Sequence, residues 1–220
     1  MTGGQLLDFA MDRSWPSGSS SRREQAARTR QRILDAAGAL FVAQGYGTTS
    51  IRQIAAAAQV APDTVYATFG TKVRLLTALL DIRLAPGGQA SILDRPEVQA
   101  IRAERDPRRL LRLFVRDYAA MSERVRPVSE VLRTAKAVEP QMAAVREEME
   151  TYRLEYMRTI VGWLAGLATL RVPADQAAQI VWALASPDVG RMLCDVQGWT
   201  TAEYASWLED TLTATLLAAR

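Results

Sequence analysis

No histidine occurs anywhere in these 220 residues. That absence removes the commonest general base and the commonest metal ligand, so Ser-His-Asp, Cys-His and histidine–metal chemistry are all unavailable. Cysteine occurs once, at Cys194, which excludes an intrachain disulfide and suits a reducing, cytoplasmic setting. No run of about 18 apolar residues is present, so no membrane-spanning helix is expected. Residues 1–20 place Asp8 and Asp12 before Arg13 and lack an extended apolar stretch, unlike a secretory signal. Neither a phosphate-cradling glycine loop nor a cluster with metal-ligand spacing is visible. The expectation is a protein that is not an enzyme and uses no cofactor and no metal.

Lysine is scarce too, with 2 against 25 arginines. The net charge is only +3, but it is unevenly placed. From residue 22 to residue 74, eight cations face Glu24, Asp35 and Asp63, a local net charge of +5. From residue 75 onward, 18 cations meet 19 acids. A basic block confined to one segment is the electrostatic footprint of a nucleic-acid reader, although a solvated charged face has the same composition. With 49% hydrophobic residues, a chain of this length can bury roughly 70% of its unfolded surface, in one or two domains.

Residues 28–76 show how the basic segment is organised. Ser21 and Glu24 have the spacing of a capping box. Ile33, Ala37, Leu40 and Phe41 then form one apolar stripe of an amphipathic helix, and Gly45 stands where a left-handed cap would end it. Thr48, Thr49 and Ser50 restart the chain with hydroxyls, Ser50 and Gln53 fitting a second capping box. Ile51, Ile54, Ala55 and Ala58 give a helix of about two turns. After a turn at residues 58–60, Pro62 suits a first helical position and Asp63 complements the positive end of the helix dipole. Val65 and Phe69 face inward. A short helix with small, mostly uncharged side chains can enter a major groove, with flanking hydroxyls and cations on the phosphates.

Two runs carry a specific likeness: Ile33-Leu34-x-Ala36-Ala37-x-x-Leu40-Phe41-x-x-x-Gly45-Tyr46-x-x-Thr49-Ser50-Ile51-x-x-Ile54-Ala55, and Thr64-Val65-Tyr66-x-x-Phe69-x-x-Lys72-x-x-Leu75. Together they resemble the N-terminal domain of the TetR family of bacterial transcriptional regulators. The chain departs from the family pattern at Gln59, where glycine is usual, at Ala61, where a serine-type cap is usual, and at Thr68, where tyrosine or histidine is common. If Gln59 adopts a positive φ the turn carries a small strain, and Ala61 gives up a cap worth about 1 kcal/mol. The resemblance implies an all-α chain: a flexible arm over residues 1–21, a helix-turn-helix DNA-binding domain over 22–70, and a helical effector-binding and dimerisation domain over 71–220. It implies contacts to double-stranded DNA from Arg30, Thr49, Ser50, Arg52, Ala61, Pro62, Asp63, Thr64, Tyr66, Thr68 and Lys72. Lys72 and Tyr66 would lie on phosphates, while Thr64, Asp63 and Arg52 would be the candidates for reading bases.

The arm, with Trp15-Pro16-Ser17-Gly18 and a serine run, reads as a disordered tail or as a basic arm reaching nearby phosphates. Beyond it, Thr71 caps a fourth helix carrying Val73, Leu75, Leu76, Leu79, Leu80 and Leu84, ended by Pro86-Gly87-Gly88. The body stays helical. A short helix is expected over 95–104, a stronger one over 107–125, another starting at Pro127, and a long one over 141–170. In the last, Met142, Val145, Met149, Tyr152, Tyr156, Ile160, Trp163 and Leu167 make one apolar face. Two further helices, about 174–197 with a kink at Ser186-Pro187 and 201–217 capped by Thr200 or Thr201, match the pair through which the family dimerises.

Phe114, Tyr118, Met121, Met149, Tyr152, Tyr156, Trp163 and Trp182 are candidates to line a pocket for a small, mostly apolar effector. Arg153 or Arg158 is available to an anionic one, and the bland reading of the aromatic faces is plain core. Leu184, Trp207, Leu208 and Leu212 are the candidate anchors of a homodimer, or else they cover the body of their own chain. The function expected is a cytoplasmic, homodimeric repressor released from a palindromic operator by its effector. The rival reading is a helical carrier of small molecules whose helix-turn-helix is not used on DNA.

Overall fold

The computed structural model describes residues 20–84, 91–135, 137 and 139–218, and every regular element among them is helical. The arm over 1–19 and the break at Pro86-Gly87-Gly88 lie outside the described residues. The first helix, α1 (Ser20–Gln44), already includes Ser21, so that residue is not the cap expected of it; its side chain lies outside the described residues. α1 buries Ile33, Leu34, Ala37 and Phe41. It stops where Gly45 takes φ +87 and its N–H donates to the Phe41 carbonyl at 3.0 Å, a backbone conformation that costs glycine little.

α2 (Ile51–Ala57) opens with the expected reciprocal box: the Ser50 N–H donates to Gln53 Oε1 at 2.7 Å, and the Gln53 N–H donates to Ser50 Oγ at 3.2 Å. It closes in a Schellman turn. The Val60 N–H reaches the Ala55 carbonyl at 3.0 Å and the Gln59 N–H the Ala56 carbonyl at 3.1 Å. That geometry puts Gln59 at φ +54, the one non-glycine residue with positive φ among the described residues. α3 (Pro62–Phe69) starts with proline at its first position, after Ala61, which supplies no side-chain cap. α4 (Lys72–Leu84) is capped by Thr71, whose Oγ1 accepts from the Arg74 N–H at 3.1 Å. Ile54, Ala55, Val65, Phe69, Leu75, Leu76 and Leu79 complete a small core under α1.

Packing divides the chain into two units: Met1–Pro86 with Pro127–Glu148, and Gly87–Arg126 with Met149–Arg220. The division therefore does not fall at residues 70 and 71, because α4 groups with the three helices before it. Two long helices, α6 (Pro107–Ala135) and α7 (Gln141–Ala165), supply residues to both units. α6 corrects the sequence expectation that Pro127 begins a new helix, for it runs through that residue unbroken. Proline inside a helix removes one backbone bond and crowds the preceding turn, at a cost of about 3 kcal/mol. Val125, Val128, Val131 and Leu132, all buried around it, offset that cost with apolar area.

In the second unit, α5 (Pro96–Ala103) follows a short 3₁₀ turn at Ile92–Asp94. The Arg95 side chain, only 5% exposed, forms a two-pronged pair with Asp117 of α6 at 2.5 and 3.2 Å. α7 ends at Ala165 rather than near residue 170, and Tyr152 departs from its expected inward face with 38% exposure. The expected 174–197 helix is three pieces: α8 (Ala174–Leu184), one turn of α9 (Pro187–Gly190) capped by Ser186, and a π-helical segment Arg191–Val196. α10 (Thr201–Leu216) opens with a Thr200–Glu203 capping box and buries Tyr204, Leu208, Leu212 and Leu216.

Candidate nucleic-acid interface

A helix that reads DNA must keep one face free while the other holds it in place. α3 meets that requirement with few residues. Val65 and Phe69 are buried, whereas Ala61, Pro62, Asp63, Tyr66 and Ala67 are exposed and Thr64 and Thr68 lie between. Tyr66 is 54% exposed, an unusual position for a large aromatic. Thr68 Oγ1 donates to the Thr64 carbonyl at 2.6 Å. On α2, Arg52 is exposed, and Ser50 is exposed with its hydroxyl engaged in the capping box.

Three residues expected on DNA have contacts within the head, and one of them, Thr49, is buried. Thr49 is 1% exposed, its hydroxyl donating to the Gly45 carbonyl at 2.8 Å and accepting from Gln44 Nε2 at 3.2 Å. Its side chain therefore stabilises the turn and is not available to a phosphate, which corrects the sequence expectation. Arg30 lays its guanidinium over the Phe69 ring, 4.5 Å from the centroid. Burial lowers its pKa and the Asp81 carboxylate opposes that shift. The Lys72 ammonium donates to the carbonyls of Tyr46 at 2.9 Å and Thr49 at 3.0 Å, and it lies 4.1 Å from the centre of the Tyr46 ring. Burial lowers the Lys72 pKa, with Glu139 acting the other way.

In the second unit, Phe114, Tyr118, Met121 and Tyr156 are buried together, with Phe114 5.8 Å from Tyr118 and 6.3 Å from Tyr156 between ring centres. Met149, Trp163 and Trp182 are half-buried, and Tyr152 stands at the surface. Sequence periodicity did not show a polar knot at the end of α8. The Tyr118 hydroxyl donates to the Ala185 carbonyl, while Arg153 Nη1 donates to the Trp182 carbonyl at 2.5 Å and to that of Ala185 at 3.3 Å. Burial pushes the Tyr118 phenol up to about 12. The Arg153 guanidinium also lies over the Trp182 ring and pairs with Glu150 at 2.6 Å. Arg158 pairs with Glu155 and Asp175. Both arginines considered for an anionic effector thus already have carboxylate partners.

Leu208 and Leu212 are fully buried by their own chain. They cannot anchor a partner, which corrects that expectation in favour of its alternative. Leu184 and Trp207 remain half-buried. Between α9 and α10, Met192, 48% exposed, and Val196, 61% exposed, are apolar side chains that face out. Their spacing of four residues was a visible signal, obscured by the proline and glycine around it.

A trihelical, positively charged head with one exposed helix of small residues defines a helix-turn-helix protein. The family described as bacterial regulatory proteins, tetR family, matches residues 33–79, so the head of this chain is similar to that family's. Over 65 residues it is 40% identical to the HTH-type transcriptional regulator TcmR of Streptomyces glaucescens, a match covering 30% of this chain and 29% of that one. The chain thus aligns with about three-tenths of that relative's length. The whole fold is shared with NalD, the secondary repressor of the MexAB-OprM multidrug efflux pump in Pseudomonas aeruginosa. That likeness has a TM-score of 0.63 and 21% identity, over 90% of this chain and all of that one. It is also shared with FadR of Bacillus subtilis in complex with stearoyl-CoA, at a TM-score of 0.64 and 19% identity, over 83% of this chain and 96% of that one.

Proposed function

We propose that this protein is a cytoplasmic, homodimeric transcriptional repressor that leaves a palindromic operator when a small, mostly apolar effector binds its body. The observation that carries the reading is the exposed face of α3, with Tyr66 outermost, on a head of net charge +5. Tyr66 and Ser50 contact phosphates, Arg52, Asp63 and Thr64 read bases, and Ala61, Pro62 and Thr68 line the groove contact. Two such heads read successive major grooves roughly 34–36 Å apart. The effector acts only through its different affinity for the two head spacings. Phe114, Tyr118, Met121, Tyr156, Trp163 and Trp182 supply its apolar surroundings, joined by Met149. NalD's description as a repressor and FadR's as a complex with an acyl ligand support a repressor with an apolar effector.

The dimer forms through the end of α8, the π-helical segment and α10, with Leu184, Met192, Val196 and Trp207 at the contact. The test is a gel shift at low ionic strength against the DNA flanking its own gene. Retention of one fragment over bulk competitor is the expected result. Equal binding to every fragment would leave a helical carrier as the better reading.

A further inference from the structure

The exposure of a lysine says little about its task until its ammonium donors are accounted for. Lys72 is the first residue of α4, yet its side chain reaches back over the connection between α1 and α2. An ammonium has three donors and no acceptor. Two of them are directed at the Tyr46 and Thr49 carbonyls, at 2.9 and 3.0 Å, and the Tyr46 ring face lies 4.1 Å away. The Thr49 carbonyl belongs to the same peptide unit as the Ser50 N–H, and that N–H closes the capping box on Gln53 at 2.7 Å. One peptide plane is therefore held on both edges, by a cation on its oxygen and by an amide oxygen on its nitrogen. Because peptide groups are planar, fixing that unit sets the direction in which α2 leaves the turn.

The surrounding bonds all act on the same six residues. Gly45 ends α1 with a positive φ, Thr49 Oγ1 returns to the Gly45 carbonyl, and Tyr46 is 2% exposed with its ring 5.5 Å from Phe41. Lys72 is the link that ties this connection to α4. Moving the ammonium onto a phosphate would break charge-assisted bonds to two carbonyls and release the aromatic face.

We propose that Lys72 is a positioning residue for DNA binding: its ammonium locks the α1–α2 connection onto α4, and so holds α2 and α3 in the orientation that DNA requires, without itself neutralising a phosphate. This rests on the DNA-binding reading above. It differs from the sequence expectation, in which the same lysine lies on the DNA backbone. An ion-pairing lysine and a positioning lysine both lower affinity when removed, so affinity alone does not separate them. Salt dependence does, because each neutralised phosphate contributes about 0.9 to the slope of log K against log salt.

The probe is a duplex selected by the unaltered full-length chain from a random-sequence pool. Lys72→Ala is expected to bind it at least tenfold more weakly with an unchanged slope, and Lys72→Arg, which keeps the charge but not the compact ammonium, is expected not to restore affinity. A slope shallower by about 0.9 for each bound protomer, or full rescue by arginine, overturns the proposal and leaves the DNA-binding reading intact. Failure of the unaltered chain to select any duplex overturns both. A second measurement needs no substitution. The sequence has only two lysines, Lys72 and Lys136, so the ¹⁵N signals of the side-chain ammonium groups are few enough to assign. The Lys72 signal is expected to keep its position on adding the duplex and to show no scalar coupling to ³¹P. A phosphorus coupling at that nitrogen refutes the assignment even if the alanine variant does not fold.

Discussion

The turn between α2 and α3 is the place where a two-residue change should make the head more stable. Gln59 holds φ +54 because the Schellman turn requires a left-handed residue at that point. A side-chain-bearing residue there costs about 1–2 kcal/mol. Replacing it with glycine also loosens the unfolded chain, which takes back about 0.4–1 kcal/mol. The Gln59 side chain is exposed, so its removal deletes no packing, and Gln59→Gly should stabilise by about 1 kcal/mol. Two residues on, Ala61 has φ −71 and ψ 147, the extended geometry of an N-cap, but no side-chain acceptor. Ala61→Ser offers its Oγ to the free N–H groups at the start of α3 and should add about 1 kcal/mol. At about 2–4 °C of Tm per kcal/mol for a chain of this size, the double variant should melt roughly 4–8 °C higher. Differential scanning calorimetry at neutral pH is the assay, with Gln59→Ala as the control that keeps the strain. If Gln59→Gly melts at or below the parent temperature while Ala61→Ser gains, the positive φ carries no strain and the reasoning about this turn fails.

Thr49→Val keeps shape but leaves the Gly45 carbonyl and Gln44 amide without their hydroxyl partner, and should cost about 1–2 kcal/mol in urea unfolding; no loss would mean the hydroxyl contributes nothing. Asp81 is held near pKa 6, chiefly by burial, with Arg30 opposing and Glu148 reinforcing the rise. An acid whose folded pKa is raised binds more protons folded than unfolded, so its contribution is intact below about pH 4 and lost as the pH passes about 6. Asp81→Asn should therefore match the parent at pH 4 and exceed it at pH 7, by at most about 3 kcal/mol before solvent screening; a gap that does not widen with pH contradicts this. Asp117→Ala removes the two-pronged partner of the buried Arg95 cation, leaving Glu97 at 3.6 Å, and should cost about 3–5 kcal/mol, most of it recovered when Arg95→Met is added; additive losses in that cycle would refute the pairing argument. Met192→Glu with Val196→Glu should convert a dimer to a monomer in sedimentation equilibrium, and an unchanged mass would move the interface elsewhere.

Much of the head could be read without coordinates because its signals are local. The Ser50–Gln53 box, the Gly45 stop, proline at the start of α3 and the inward Val65 and Phe69 each depend on neighbours a few residues away. The use of Thr49 did not follow from the sequence, since three consecutive hydroxyls present the same cap chemistry. Which one turns back into the core depends on how Gly45 folds the chain. Pro127 misled for a related reason. A proline disfavours helix continuation locally, and only the buried valines around it show that packing outweighs the lost bond. Tyr152 lies at the right angle on α7, but periodicity gives an angle and not what covers the helix at that height. Leu208 and Leu212 show the converse limit. An apolar stripe predicts burial without saying whether the same chain or a partner supplies the cover.

The same distinction governs the charges. Composition places the excess positive charge on residues 22–74, yet a count of cations is not a count of phosphate contacts. Of the eight, Arg30 covers Phe69, Lys72 holds two carbonyls, and Arg28 lies 3.8 Å from Glu24 on the surface of α1. Arg52 stands exposed on α2, beside the turn whose Tyr46 and Thr49 carbonyls Lys72 holds. If it reaches a phosphate, Arg52→Ala should lower the salt slope by about 0.9 per bound protomer; if it reads a base, the slope loss should come with relaxed preference at one operator position. A head whose affinity fell by the same factor for every one of its cations would be acting as a diffuse positive surface. The arrangement here assigns its cations unequal tasks, so the eight substitutions should divide into those that move the slope and those that move only the affinity.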